Sequence, residues 1–302
     1  MAESIPDNFL GLPAGLSRYK SARFAVLPVP YDATTSFGVG TRDGPRAIIT
    51  ASQQVELFDE TLGRDSSAAG IATLDAVHPD VSGPEATLKA IYAAARKVVR
   101  DGKFLLTLGG EHSISSALVR AVKEKHKRLS VLQIDAHADL RDSYQGSPYS
   151  HACVMRRIHD LGVPAVALGI RNYSAEEAAF IREKNKLIFP PRAPRHSVAW
   201  HGDQTAWTQG IVSELSENVY VTIDIDGFDP AYAPGTGTPE PGGLDWHQVT
   251  DLLDTIAARR NIVAADLVEV RPIPPNTVTE FLAAKLLYRL MGLVLRPKRR
   301  RR

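Results

Sequence analysis

The chain has 302 residues, 44% of them hydrophobic and 23% charged, with a formal charge of +2, which is the composition of a soluble globular protein with a sizeable core. Arg296, Lys298 and Arg299 to Arg302 place six positive charges in the last seven residues, and subtracting them from +2 leaves the body at −4, so no basic, nucleic-acid-binding surface is built into the fold. The single cysteine, Cys153, excludes an internal disulfide, and no apolar run approaches the roughly 20 residues of a membrane span. MAESIPDNFLGLPAG lacks the basic and apolar regions of a leader peptide. These features predict a cytoplasmic protein with one domain over residues 1–295 and a frayed, solvated basic tail over 296–302.

In chain order, Arg23 to Val29 reads as a first strand. The glycine-rich loop YDATTSFGVGTRDG follows, and from Pro45 a helix that RAIITASQQVELF continues. Ile71 to Val77 is a second strand. Ser82 and Glu85 have the spacing of a capping box ahead of a helix over 86–100, ended by Gly102. Phe104 to Leu108 is an apolar strand running into Gly109-Gly110-Glu111-His112-Ser113, and the next helix carries Ile114, Leu118 and Val122 on one stripe. Val131 to Ile134 reads as a buried strand. A short helix over 152–161, a strand over 164–169, a helix capped by Ser174 and Glu177, and a weak strand Leu187 to Phe189 come next. Residues 190–206 read only as a proline-rich connection. A helix near 208–216 and the strand Val219 to Ile223 precede a helix capped by Asp245 and Gln248. The last strand is Ile262 to Val270. Thr277 and Glu280 have the spacing to cap the final helix, whose Leu282, Leu286, Leu290 and Leu293 form an apolar stripe. This alternation, with short links and no composition break, predicts a single α/β domain with a mostly parallel sheet of about eight strands and helices on both faces.

The strand ends carry the chemistry. Asp135, His137 and Asp139 stand at alternate positions just beyond Ile134, and on an extended backbone they would share one side. Asp224 and Asp226 repeat the spacing, His112 follows its strand by two glycines, and Glu269 sits in the apolar run Leu267-Val268-Glu269-Val270. Ligands of parallel sheets bind at that carboxyl edge. A buried charge there is costly unless paired or metal-bound, and the clustered carboxylates repel one another unless cations lie between them. One cation leaves ligands over, so two is the better count. Oxygen-rich ligation without thiolate favours manganese or magnesium ahead of zinc. Two such ions sharing a water lower its pKa from about 15.7 towards 7, which equips a hydrolase. Asp229 reads as a turn residue, and His126, His159, His196, His201 and His247 as surface or packing histidines.

GGEHS, DAHAD, SHA, DIDGFDPAYAPGTGTPEPGG and DLVEV, in that order, resemble the signature blocks of the ureohydrolase family, the arginases, agmatinases and their relatives. The likeness runs from PYDATTSFGVGTRDGPRAI to the last strand. It implies an arginase-like fold, two Mn(2+) ions, and hydrolysis of a guanidino group to urea and an amine by a metal-bridging hydroxide. It also implies that His112, Asp135, Asp139 and Asp224 hold one ion and Asp135, His137, Asp224 and Asp226 the other. His151 is then the proton shuttle, Glu269 the carboxylate that receives the guanidinium, and Asp139 a further catalytic position. Thr236 and Asp142 are further substrate contacts. Glu111 stands where the family commonly has aspartate, a change expected to act around the metal ligands. Where arginases resemble one another in two asparagines and an aspartate, this chain has Arg141, Tyr149 and Ser174, so the apparatus for an amino-acid head group is missing. DLRDSY resembles the agmatinase branch. The expected substrate is agmatine, giving putrescine and urea, with Asp142 and Glu176 the nearest acidic groups for its ammonium. Aminopropylagmatine, a guanidino acid or arginine are alternatives within the class, and a catalytically silent metal-binding regulatory homologue is one outside it. The resemblance further implies a homotrimer or homohexamer.

Overall fold

A computed structural model describes residues 5–189 and 204–296. Eight strands form its central sheet: β1 (Phe24–Val29), β2 (Ile71–Thr73), β3 (Phe104–Gly109), β4 (Leu129–Ile134), β5 (Ala165–Leu168), β6 (Leu187–Phe189), β7 (Asn218–Asp224) and β8 (Asn261–Val268). Their order is β2-β1-β3-β8-β7-β4-β5-β6, and every neighbouring pair runs parallel. β1, β3 and β4 are buried along their whole length, because helices cover both faces. That is why these strands read as continuous apolar runs and not as alternation.

Successive strand residues feed two separate cores. Phe24, Val26, Leu106, Leu132 and Val221 pack with helices α1 (Gly44–Ser52), α6 (Gln204–Glu214), α7 (Trp246–Arg259) and α8 (Val278–Val294). Ala25, Leu27, Leu105, Val131 and Tyr220 pack instead with α2 (Pro84–Arg100), α3 (Ser115–Lys125), α4 (Val154–Asp160) and α5 (Ala175–Glu183). The fold class expected from the sequence is the one observed.

Several boundaries differ from expectation, each for a local reason. The helix from Pro45 stops at Ser52, and Phe58–Asp59 instead pairs antiparallel with Arg64–Asp65. β2 ends at Thr73, although Leu74 and Val77 still donate to Val26 and Pro28 beside it. α2 starts at Pro84, which leaves Gly83 as its cap with no side-chain bond, so the Ser82–Glu85 box does not form. Thr277 makes no side-chain cap either, and Asn276 Oδ1 accepts the Val278 N–H at 2.9 Å. The Ser174–Glu177 and Asp245–Gln248 boxes both close. α8 buries more than one stripe: Ala283, Leu287, Tyr288 and Met291 join Leu286 and Leu290. The segment around Asp59 lies across it, with Tyr288 donating to Leu57 O at 2.6 Å and Arg289 paired with Asp59.

Among the described residues, no helix is long and apolar enough to cross a membrane. The stretch 190–203, with His196 and His201, and the tail beyond Arg296 lie outside the described residues.

The strand order sets the site. β3, β8, β7 and β4 are consecutive in the middle of the sheet, and His112, Glu269, Asp224 and Asp135 stand at or just past their carboxyl ends. The two glycines after Leu108 allow close packing there. A Cβ on Gly109 would lie 2.5 Å from Val268 Cγ1, and one on Gly110 only 1.8 Å from the Tyr31 carbonyl oxygen. Gly110→Ala is therefore expected to destabilise the fold by about 3 kcal/mol or more, because backbone must move. Gly63→Ala has a φ of +64° but meets nothing within 4 Å, and its expected cost is about 1–2 kcal/mol. Urea unfolding of the two variants would measure the difference, and equal costs would show that the Gly110 contact relaxes freely.

Candidate metal centre

A strand end delivers each charged side chain. β3 passes through Gly109 and Gly110 into a single 3-10 turn, His112–Ile114, that buries His112 completely. β4 stops at Ile134, so strand alternation is not what gathers Asp135, His137 and Asp139. Asp139 takes a left-handed φ of 53°, and its carbonyl accepts the Met155 N–H at 3.0 Å at the start of α4. β7 enters the turn Ile225–Gly227, where Asp224 Oδ1 accepts the Asp226 N–H at 3.0 Å. Glu269 follows β8 with φ 61°, its N–H donating to Gly110 O at 2.8 Å. A left-handed φ is costly for residues other than glycine, and such strain gathers at working sites.

The side chains meet as two linked groups. His112 Nδ1 lies 3.1 Å from Asp135 Oδ2, 3.2 Å from Asp139 Oδ2 and 3.3 Å from Asp224 Oδ2. His137 Nδ1 lies 3.0 Å from Asp226 Oδ2 and 3.7 Å from Asp135 Oδ1. Asp135 thus offers one oxygen to each group. Despite its three carboxylate neighbours, His112 Nδ1 makes no hydrogen bond. A buried nitrogen and three oxygens that converge without bonding one another fit a divalent cation. The second group, an imidazole between two carboxylates, fits another.

Hydrogen bonds behind the groups fix their orientation. Gln133 Nε2 donates to Asp135 Oδ2 at 2.8 Å, the His137 N–H to Asp135 Oδ1 at 2.6 Å, and the Thr238 hydroxyl to Asp226 Oδ2 at 3.1 Å. His112 Nε2 lies 2.8 Å from Thr222 Oγ1, and Thr222 donates its own proton to Asp266 Oδ1 at 2.6 Å. Tyr220 donates to the other Asp266 oxygen at 2.5 Å. Because the Thr222 proton is committed to Asp266, its oxygen receives the Nε2–H of His112. In the neutral ring, this assigns the tautomer with Nδ1 bare and turned to the carboxylates.

Crowded charge shifts the titrations. Burial raises Asp224 well above the usual carboxylate range, and Asp226 and Asp135 push it further. Burial, then Asp135, takes Asp139 up to about 7. Glu269 is raised by burial and by Glu111. Burial opposes charging of the two rings, yet the surrounding carboxylates raise His112 and take His137 up to about 12. Asp135, which burial alone would raise, is held low by His112 and His137. A cluster of this charge keeps protons until a stronger cation replaces them.

His137, Asp139, Asp224 and Asp226 line a cleft of about 210 Å³, with His112 and Asp135 buried, and its walls include Phe37, Arg141, His151, Tyr173, Glu177 and Glu269. His151 stands at the turn ahead of α4, and its N–H donates to Thr34 Oγ1 at 3.0 Å. Burial lowers its imidazole to about 4, so the ring is neutral at pH 7. Glu269 Oε1 accepts the His112 N–H at 2.7 Å.

Other expected contacts fall elsewhere. Asp142 does not line the cleft; its carboxylate is on the surface, bonded by Arg157 Nη2 at 2.8 Å. Glu176 is exposed on α5, also away from the cleft. Thr236 is buried beside Val270, and Thr238 lines the cleft in its place. Ser174 caps α5, and Tyr149 packs against the core shared by α2 to α5. Arg141 does line the cleft, with Nε 3.9 Å from Glu177 Oε2 and its guanidinium over the Tyr144 ring. Asp229 accepts the Ala231, Gly242 and Gly243 N–H groups as a turn residue, and His159 packs on the Phe180 ring. Thr34, Thr222, Thr238 and Asp266 were not evident from sequence. Only Asp266 carried a signal, a carboxylate inside the apolar run Val263 to Val268.

Comparison with known proteins gives a consistent picture. Residues 22–292 match the Arginase family. An N(1)-aminopropylagmatine ureohydrolase from Synechocystis sp. is 40% identical over 294 residues, 95% of this chain and 94% of the relative. An agmatinase from Pyrococcus horikoshii is 35% identical over 285 residues, covering 92% and 94%. The structure of the agmatine ureohydrolase of Thermoplasma volcanium superposes with a TM-score of 0.83 at 32% identity, covering 95% of this chain and 94% of that one.

Three variants probe the cation assignment. Asp139→Ala and Asp226→Ala should each lower bound divalent metal, since each removes a charged ligand. Thr222→Val should keep the fold but weaken metal affinity by about 10- to 100-fold by freeing the His112 ring. Metal analysis and calorimetric titration would check all three, and full occupancy in an aspartate variant would remove that residue from the ligand set.

Proposed function

The chain belongs to the arginase family of binuclear metal hydrolases, and on that premise we propose that it is a manganese-dependent ureohydrolase of linear guanidino amines, cleaving agmatine to putrescine and urea. One observation carries this reading: a single cleft holds two imidazole–carboxylate groups joined through Asp135, with Glu269 and His151 on its walls. A complete set of this kind weighs against a silent regulatory homologue.

In this reading His112, Asp135, Asp139 and Asp224 hold one ion, and Asp135, His137, Asp224 and Asp226 the other. When bound, a divalent pair activates water for attack at neutral pH. The chain supplies the remaining steps. A guanidinium stays protonated and is a poor electrophile, so it must be held in one orientation. Glu269 does this. Its buried carboxyl resists ionisation alone, and a guanidinium fork offers it the matching positive charge. The departing amine nitrogen needs a proton. The neutral His151 ring can accept one at the reacting centre and pass it on.

The cleft also supports the choice of substrate. Of the three positions where arginases would recognise an amino-acid head group, Ser174 caps a helix and Tyr149 packs against the core. Arg141 is left, and Glu177 stands beside it. A substrate carboxylate would thus find one already partnered cation, and an α-ammonium no acceptor among these three. A second reading, aminopropylagmatine as substrate, is favoured by the likeness to the Synechocystis aminopropylagmatine ureohydrolase. Phe37 and Tyr173 on the cleft wall are 79% and 50% exposed, which is compatible with a longer amine as well. A homotrimer or homohexamer in the cytoplasm completes the proposal, and the exposed Ile273, Val278 and Phe281 supply apolar surface for such contacts.

Urea release with manganese would be measured for agmatine, aminopropylagmatine, guanidinobutyrate and arginine. An unpartnered carboxylate costs on the order of 1–3 kcal/mol, so kcat/KM for the guanidino amines should exceed that for arginine by about 10- to 100-fold. Equal or reversed preference would overturn the substrate class and leave the reaction type standing. His151→Asn should retain its metal and lose about 100-fold or more in kcat. Loss of metal in a folded variant would instead make His151 a ligand.

A further inference from the structure

The glycine-rich loop after β1 is tied down at two acidic residues. Asp32 Oδ2 accepts the Gly40 N–H at 3.1 Å, closing the loop on itself, and its Oδ1 accepts Arg42 Nε at 2.5 Å. Glu111 is wholly buried beside the metal-site residue His112. It accepts the Thr34 N–H at 2.6 Å, the Thr34 hydroxyl at 2.5 Å and the Ser113 hydroxyl at 2.6 Å. The Glu111 N–H in turn donates to Tyr31 O at 2.7 Å. The carboxylate therefore points away from the cation groups and into the loop.

Thr34 is the pivot. Its hydroxyl gives its proton to Glu111 and, with the remaining lone pair, accepts the His151 N–H at 3.0 Å. That N–H opens the 3-10 turn His151–Cys153, where a helical segment has no internal acceptor for it. Two residues further on, Ser36 Oγ lies 3.4 Å from His151 Nε2. One loop thus touches His151 at its backbone and at its ring. A donor–acceptor chain runs from a buried carboxylate through one hydroxyl to the histidine, and each bond in such a chain polarises the next.

We propose that Thr34, held by Glu111, is a positioning residue that sets where the His151 ring stands in the cleft. The proposal rests on His151 carrying the proton in the reaction proposed above. Misplacing a reacting group by about 1 Å can cost on the order of 100-fold in rate, so a single hydroxyl has room to matter.

The experiment is a double-mutant cycle on the manganese-loaded full chain with agmatine. Thr34→Val keeps the shape and removes the hydroxyl, whereas Thr34→Ser keeps the hydroxyl. Thr34→Val should retain its metal, hold KM within about twofold and lose about 10- to 100-fold in kcat. Thr34→Ser should recover most of that loss. In a His151→Asn background, Thr34→Val should cost less than about twofold more, because the residue it positions is already gone. A full multiplicative loss in that background, or Thr34→Ser as poor as Thr34→Val, would overturn the proposal while leaving the role of His151 intact. If His151→Asn alone left kcat unchanged, the proton-carrier reading would fall and this inference with it. Should Thr34→Val not fold, Thr34→Ala takes its place in the same cycle with the same criteria.

Discussion

Everything at the carboxyl edge of the sheet depends on the repulsion among Asp135, Asp139, Asp224, Asp226 and Glu269. All five are buried, and none could be ionised beside the others without positive charge among them. The sequence meets this with two imidazoles at the centre and with oxygens shared between neighbouring groups. Asp135 is the joint: one oxygen faces His112 and the other faces His137. The His137 N–H and the Gln133 amide hold one oxygen each, so the carboxylate cannot turn to serve one side only. Cation entry must displace protons from this cluster, which ties occupancy to pH.

The parallel sheet is what allows so much charge to be gathered. Its four middle strands are buried over most of their length, and their ends lie side by side. Each contributes between one and three ionisable residues at its end or on the turn beyond it, and the apolar cores on both faces offset the unfavourable terms. Polar residues also reach below the edge. Thr222 and Asp266 sit opposite one another on β7 and β8, so register alone brings the hydroxyl to the carboxylate and, through it, to His112.

The strands were legible in the sequence because burial on both faces leaves unbroken apolar runs, and the candidate ligands because charged residues interrupt those runs at their ends. The capping signals were less reliable, for a physical reason. Ser82 and Ser174 carry the same spacing to a glutamate, but Pro84 fixes the start of α2 and displaces Ser82 from the cap. The gathering of Asp135 and Asp139 was expected from an extended backbone, whereas a left-handed turn at Asp139 achieves it. Thr34 and Thr222 were invisible. A threonine takes its meaning from partners 77 and 110 residues away in sequence, and no local pattern marks such a pairing.

The residues of the two imidazole–carboxylate groups stand at strand ends or on the turns next to them, whereas Phe37 and Tyr173 on the cleft wall stand on loops. Inheritance can treat these two sets separately. A substitution at a strand end disturbs the core and the charge balance together and is quickly lost from a lineage. A substitution at Phe37 or Tyr173, already facing solvent, changes neither. Descendants of one ancestral chain can therefore vary on the outer cleft wall while the apparatus beneath it stays fixed.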